Sequence, residues 1–90
     1  MTQIDGTAVI TGAGRGLGRA FAHALARNGA CVAVCDIDLD SAQKVASEIR
    51  KQGGRALPVR MDVSDPASVD EAIGQVRDGL GNRNILVNNA

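Results

Sequence analysis

The chain has 90 residues, 44% of them apolar and 22% charged, with ten basic residues against ten acidic ones. This length allows one domain at most, and a formal net charge of zero with scattered basic residues argues against a nucleic-acid or anionic-membrane partner. No apolar run approaches the about 20 residues that span a bilayer, and the N-terminus lacks a secretory signal, so we expect a cytoplasmic protein.

The first strand and helix are predicted from a change of hydrophobic period. Residues Thr7–Thr11 form a β-prone run without alternation, which indicates a strand covered on both faces. A helical pattern then begins at Gly16 and ends at Asn28-Gly29. Its buried stripe is expected to contain Leu17, Ala20, Phe21, Ala24 and Leu25. We expect His23, on another face, to be a solvated helix residue.

The second strand is predicted at Cys31–Cys35, a wholly apolar run. Both cysteines should be buried, since four residues along one strand separate their Cα atoms by about 13 Å, which is too far for a disulfide. Two cysteines and one histidine are too few to predict a zinc site. A second helix follows, with an apolar stripe of Leu39, Ala42, Val45, Ala46 and Ile49.

Two more strands and one more helix complete the pattern. Ala56–Met61 predicts a third strand, and Pro58 within it favours the edge of the sheet. Ser64-Asp65-Pro66 opens a third helix, and Ile85–Val87 predicts a fourth strand. This alternation is typical of an α/β fold: a Rossmann-type parallel sheet with helices on both faces, here incomplete. Residues 1–90 are thus interpreted as a single partial domain.

A glycine-rich loop lies where the first strand passes into the first helix. Residues 11–18 fit T-G-x-x-x-G-x-G, whereas neither G-x-G-x-x-G nor the P-loop pattern fits. A helix N-terminus carries unpaired N–H groups, and glycines let a pyrophosphate approach the backbone. The loop is therefore a candidate phosphate site, and the alternative is a glycine turn that binds nothing.

Asp36 ends the second strand, 18 residues after Gly18. In dinucleotide-binding folds an acid about 20 residues after the glycine loop accepts hydrogen bonds from the adenosine ribose hydroxyls. Its negative charge would repel a 2′-phosphate. NAD is therefore favoured over NADP. Arg15 is a cation that could pair with a 2′-phosphate, so NADP remains an alternative cofactor. The alternative role for Asp36 is a carboxylate at the start of the second helix that binds no ligand.

Polar residues also follow the third and fourth strands, at the sheet edge where open α/β sheets bind ligands. The two segments are the pair Asp62-Val63 and the run Asn88-Asn89-Ala90, and their polar members are Asp62 and the two asparagines. Asp62 could instead stabilise the turn before Ser64, and the two asparagines could be turn residues.

Together these motifs resemble the short-chain dehydrogenase/reductase family, and the likeness covers nearly the whole chain. The resemblance implies an oxidoreductase that transfers hydride between NAD(P) and a small alcohol or carbonyl, and a homo-oligomer when complete. It implies a pyrophosphate and adenosine site at Gly12, Arg15, Gly16, Leu17 and Gly18. It also implies that Asp36 binds the ribose, that Asp62 and Val63 flank the adenine, and that Asn89 and Ala90 lie near the cofactor.

The chain departs from the family pattern at its end and before the fourth strand. The family continues the N-N-A motif with glycine, and its catalytic residues come later in the chain. Asn84 stands where the family usually has an acid, and the chain contains no tyrosine to act as proton donor. We therefore expect a cofactor-binding piece without catalytic residues, inactive alone. A non-catalytic NAD(P) sensor and a fold that binds nothing are the other hypotheses.

Overall fold

The computed structural model describes residues 6–80 and 83–87, and it confirms the alternation of strands and helices. Strands and helices alternate along the chain without interruption. Their bounds are β1 Thr7–Thr11, α1 Gly16–Arg27, β2 Cys31–Asp36, α2 Leu39–Lys51, β3 Arg55–Arg60, α3 Pro66–Leu80 and β4 Arg83–Val87. The largest boundary error is at β4, which begins two residues before the predicted Ile85.

The four strands form one parallel sheet in the order β3-β2-β1-β4. The chain moves outward from β1 to β3 and then crosses back to the other side of β1. In open α/β sheets a ligand binds beyond the carboxyl ends of the strands where the strand order reverses in this way. The loop after β1 is therefore at the position where the fold predicts a ligand.

Helices cover both faces of the sheet, as predicted. One core cluster joins β1 and β2 to α1 and α2, and includes Ile10, Val34 and Ile49. A second cluster joins the opposite face to α3, and includes Val59 and Val76. β3 lies at the edge of the sheet, which confirms the position that Pro58 predicted. Both cysteines are buried free thiols.

The predicted stripe of α1 is wrong for Leu17 and Phe21, whereas its member Leu25 does pack against the core. Leu17 is 62% exposed and Phe21 is 40% exposed. The helix instead buries Gly18 and Ala22, with Leu25 and Ala26 partly buried beside them. Small side chains let a helix approach the sheet closely, so the face with glycine and alanine, not the one with the largest apolar residues, contacts the strands.

His23 is also not the solvated residue that we predicted, because its side chain is only 14% exposed. Its Nε2 atom lies 3.0 Å from Oε1 of Glu48 on α2. Arg19 donates to both carboxylate oxygens of Glu48, at 3.0 Å from Nε and 2.8 Å from Nη2. These bonds, chiefly those from Arg19, lower the pKa of Glu48 to about 2. A charged cluster thus joins α1 to α2.

Among the helices in the described part of the chain, none combines the length and apolarity needed to cross a membrane.

Candidate functional site

The loop between β1 and α1 turns at two glycines with positive φ. Gly12 has φ +64° and Gly16 has φ +57°, a left-handed conformation that disfavours other residues. The Ala13 N–H donates to the carbonyl of Cys35 at 2.9 Å, which fixes the loop against the end of β2. A Cβ atom on Gly16 would meet nothing within 4 Å, so the loop has an open side there.

The N-terminus of α1 has no side-chain cap. Arg15 occupies the N-cap position in an extended conformation, and the first helical turn contains no acid. The first helical hydrogen bond runs from the Arg19 N–H to the Arg15 carbonyl at 3.2 Å. The N–H groups of Gly16, Leu17 and Gly18 find no acceptor within residues 6–80 and 83–87. The helix dipole and these donors together favour an anion at this position.

The N-terminus of α2 is different, because its donors are already satisfied. Asp38 accepts from the N–H groups of Asp40 and Ser41 at 3.1 and 3.4 Å, and from the Ser41 hydroxyl at 2.8 Å. The hydroxyl bond is the main reason that the pKa of Asp38 is lowered. The contrast identifies α1, rather than α2, as the helix with an N-terminus available to an anion.

Asp36 lies beside the loop and is 4% exposed. Its Oδ2 atom accepts from the Gly14 N–H at 3.0 Å, and its Oδ1 atom accepts from the Asp38 N–H at 3.0 Å. The Arg15 side chain is 70% exposed, with Nη2 at 4.0 Å from Oδ1. The carboxylate that was predicted as a ribose ligand therefore already connects the loop to the start of α2.

Asp62 and Val63 lie just after β3, at the same end of the sheet. Asp62 Oδ1 accepts from the Ser64 N–H at 3.0 Å and from the Ser64 hydroxyl at 2.6 Å, which lowers the pKa of Asp62. The Asp62 N–H donates to the Ser68 hydroxyl at 3.0 Å. The turn-stabilising role that we considered for Asp62 is thus present, and Val63 is 49% exposed.

The last predicted site residues, Asn89 and Ala90, lie outside the described residues, as does Asn88. β4 reaches Val87, which pairs with Ile10 near the end of β1. The structure thus brings the glycine loop, Asp36 and the Asp62-Val63 turn to one end of the sheet. Within residues 6–80 and 83–87, no group of three or more metal-ligating side chains is found.

Sequence reasoning missed two residues in this region. Gly14, whose N–H contacts Asp36, was one of several loop glycines and its spacing gave no signal of its own. Ile37 is 55% exposed directly after Asp36, a high exposure for a large apolar residue at the end of a buried strand. The signal that could have identified Ile37 is its position between Asp36 and Asp38, where an apolar residue is unusual.

Comparison with known proteins gives consistent matches over most of the chain. Residues 6–90 match the family model for short chain dehydrogenases. Sorbitol dehydrogenase of Cereibacter sphaeroides is 48% identical over 89 residues, which are 98% of this chain and 34% of that protein. Meso-2,3-butanediol dehydrogenase of Serratia marcescens is 42% identical over 82 residues, 91% of this chain and 32% of that protein.

A solved structure gives the same result for the fold. The crystal structure of a hydroxysteroid dehydrogenase from Escherichia coli superposes with a TM-score of 0.95 at 38% identity, over 99% of this chain and 38% of that one. The chain thus spans about a third of the length of the relatives that it matches.

Proposed function

The chain belongs to the short-chain dehydrogenase family, and we propose that it is the dinucleotide-binding part of an NAD(H)-dependent oxidoreductase that interconverts an alcohol and a carbonyl. The observation that carries the proposal is the uncapped N-terminus of α1, preceded by a glycine loop at the point where the strand order reverses. Sorbitol and 2,3-butanediol, in the names of two relatives, are alcohols, which supports this substrate class.

The pyrophosphate of the dinucleotide would bind at the glycine loop. Gly12 and Gly16 leave the backbone uncovered on the outer side of the loop, whereas Gly18 is buried. The N–H groups in the first turn of α1 have no acceptor among the described residues. The open space at the Cβ position of Gly16 is where an approaching phosphate would need room. Each of these features fits the negative charge of a diphosphate.

The adenosine ribose would bind at Asp36. A carboxylate accepts at about four lone-pair positions, and the structure uses two of them for the Gly14 and Asp38 N–H groups. The remaining two match the two hydroxyls of an adenosine ribose. A 2′-phosphate about 4 Å away would be repelled by about 4 kcal/mol, which supports NAD as the cofactor. Arg15 would move aside for the ribose, or would pair with a phosphate in its place.

The adenine would lie against the turn after β3. Val63 and Ile37 are exposed apolar residues at the ends of neighbouring strands, and both suit the face of a base. The Oδ2 atom of Asp62 has no partner among the described residues and is an acceptor for an amino group. We further propose Asn89 and Ala90 as cofactor-binding residues.

The residues of this chain would bind and orient the cofactor, and the bound NAD would supply the hydride chemistry. A carbonyl that receives hydride also needs a proton donor. This chain contains no tyrosine, and His23 is bonded to Glu48 between α1 and α2. We therefore propose that the proton donor and the substrate pocket come from residues outside this chain.

A non-catalytic NAD(P) sensor is the second candidate, because the uncapped N-terminus of α1 and Asp36 would bind a dinucleotide in the same way with or without a catalytic step. A tyrosine and a lysine four residues later, downstream of Ala90 in the full-length protein, would support the enzyme. Turnover of a polyol or diol with NAD, measured by absorbance at the nicotinamide band, would decide between them.

The binding test is titration calorimetry of the full-length protein with NAD and with NADP. We expect Asp36→Ala to weaken NAD by about ten- to a hundredfold, since it removes charge-assisted hydrogen bonds to the ribose, and to weaken NADP less. Asp70→Ala, an exposed acid on α3, is the control and should change neither affinity. Equal losses for both cofactors would contradict the ribose assignment.

A further inference from the structure

The C-terminal end of α1 contains Asn28-Gly29, the one Asn-Gly pair in the sequence. Asn28 is the C-cap residue, with φ −96° and ψ 13°, and Gly29 follows with φ +101°. The Gly29 N–H donates to the Ala26 carbonyl at 3.1 Å. The Ala30 N–H donates to the Leu25 carbonyl, also at 3.1 Å. These two bonds form a Schellman cap, in which glycine suits the left-handed position.

The side chain of Asn28 is part of this cap. Its Nδ2 atom donates to the Ala24 carbonyl at 2.7 Å, and its backbone N–H donates to the same carbonyl at 3.2 Å. An Asn-Gly pair can lose ammonia when the glycine nitrogen attacks the asparagine side chain. In this cap both reacting groups are held in hydrogen bonds, the Gly29 nitrogen to Ala26 and the Asn28 amide to Ala24.

The reaction takes place within the chain, and glycine favours it because no side chain obstructs the attacking nitrogen. The Gly29 nitrogen loses its proton and bonds to Cγ of Asn28, which closes a succinimide ring. The Cγ–Nδ2 bond breaks, and ammonia leaves with the proton. Water then opens the ring at either carbonyl and gives aspartate or isoaspartate. The net reaction consumes water and releases ammonia, and neither an oxidant nor a reductant takes part.

The closed cap opposes this reaction. At ψ 13° the Gly29 nitrogen is turned away from the Asn28 side chain, so the ring cannot close until the Cα–C bond of Asn28 rotates by a large angle. That rotation breaks the bonds that Gly29 and Ala30 donate. Helix ends open locally at a lower free energy than the whole fold. Opening of the cap therefore controls the rate.

Water has access to the cap through a neighbouring cavity of about 470 Å³. The cavity is lined by residues at the C-terminal ends of α1 and α2: Ala26, Arg27, Asn28, Gln52, Gly53 and Gly54. The hydrolysis that opens the succinimide ring thus needs no further rearrangement of the protein.

We infer that Asn28 is a deamidation site gated by the C-cap of α1: it is protected while the cap is closed, reacts when the helix end opens, and leaves a carboxylate that keeps the cap from closing again. The carboxylate lacks the Nδ2 donor, so two acceptors would face each other across the present 2.7 Å bond to Ala24. Its charge would also lie at the negative end of the helix dipole. This inference does not depend on the proposed function.

The end of α2 provides a matched comparison within the same chain. Gln52 is its C-cap residue, with φ −91° and ψ 7°, and Gly53 follows with φ +88°. The Gly53 N–H donates to the Arg50 carbonyl at 3.0 Å. The cap geometry therefore matches that at Asn28. The longer side chain of glutamine would have to close a larger ring, which forms far more slowly, so Gln52 is an internal control.

The experiment incubates the full-length protein at pH 8, in buffer and in guanidinium chloride that unfolds it. Peptide mapping by mass spectrometry measures deamidation at Asn28 and Gln52. We expect Asn28 to react at least about tenfold more slowly in the folded protein than in the unfolded one. Gln52 should stay intact in both.

Gating by the helix end is tested by Arg27→Gly, which weakens the last turn of α1 at an exposed position. The folded rate at Asn28, divided by the unfolded rate of the same variant, should rise about fivefold. Lys51→Gly makes the same change in the last turn of α2 and should leave that ratio unaltered.

The effect of the product is tested by urea unfolding of Asn28→Asp and Asn28→Ala. Both remove the bond to Ala24, but only Asn28→Asp adds a carboxylate. We expect Asn28→Asp to lower the urea midpoint further than Asn28→Ala does.

The inference is overturned if Asn28 reacts equally fast in folded and unfolded protein, if it stays intact when unfolded, or if Arg27→Gly and Lys51→Gly change its rate alike. An Asn28→Asp variant as stable as Asn28→Ala overturns it as well. None of these measurements needs a dinucleotide, so a protein that fails to bind NAD refutes the proposed function alone.

Discussion

Replacing Glu48 by glutamine should loosen the contact between α1 and α2 and should do so in a pH-dependent way. The Glu48 carboxylate accepts two bonds from Arg19 and lies 3.0 Å from Nε2 of His23. Glutamine has nearly the same shape but only one side-chain oxygen and no charge. The substitution therefore removes the negative charge that pairs with Arg19, with little change in packing.

The expected loss is about 1 to 2 kcal/mol of unfolding free energy. Charge-assisted hydrogen bonds contribute about 1.5 to 3 kcal/mol, but exposed ion pairs contribute about 0 to 1 kcal/mol. Glu48 is between these cases, since its side chain is 26% exposed and that of Arg19 is 48% exposed. Because the Arg19 pair is bidentate and His23 adds a third contact, the expected loss lies between the two ranges, at about 1 to 2 kcal/mol.

The pH dependence follows from the sign of the shift. The pKa of Glu48 falls from 4.5 to about 2 on folding, chiefly because of the bonds from Arg19. A lowered folded pKa stabilises the protein above the unfolded value, and this contribution disappears as the pH falls from about 4.5 towards 2. The difference between wild type and Glu48→Gln should thus be constant near neutral pH and shrink below about pH 4.5.

Urea unfolding followed by far-ultraviolet circular dichroism, at pH 7 and at pH 3, measures this difference. Glu71→Gln is the matched control, since Glu71 is exposed on α3 and has no hydrogen-bond partner among the described residues. The reasoning is refuted if Glu48→Gln and Glu71→Gln have the same effect at pH 7, or if the effect of Glu48→Gln is as large at pH 3.

Three further predictions concern the loop, a thiol and the core. Gly16→Val should weaken dinucleotide binding and also cost about 1 to 2 kcal/mol, because position 16 has φ +57°; unchanged affinity in calorimetry would argue against the phosphate site. Cys35, whose pKa burial raises to about 12, should resist a thiol reagent at pH 8 until the protein is unfolded. Ile49→Ala should cost about 2 to 5 kcal/mol in urea unfolding, since Ile49 is 1% exposed; a smaller loss would mean that the core closes around the gap.

Much of the fold could be predicted because its signals are local. The buried strands are short apolar runs, the helices have a 3.6-residue period, and glycine or proline marks most boundaries. The same signals placed the glycine loop between β1 and α1, and Asp36 at the end of β2. The rotation of α1 could not be predicted, because it depends on how closely Gly18 and Ala22 pack on the strands.

The sequence by itself thus determined the order of the elements, the α/β class and the residues at the carboxyl ends of β1, β2 and β3. Only the tertiary structure decided that β4 lies beside β1, that Asp36 accepts from Gly14 across 22 residues of chain, and that Glu48 joins α2 to α1. Periodicity and turn chemistry act over a few neighbouring residues. Contacts between distant residues instead depend on which faces fit together once the helices have packed on the sheet.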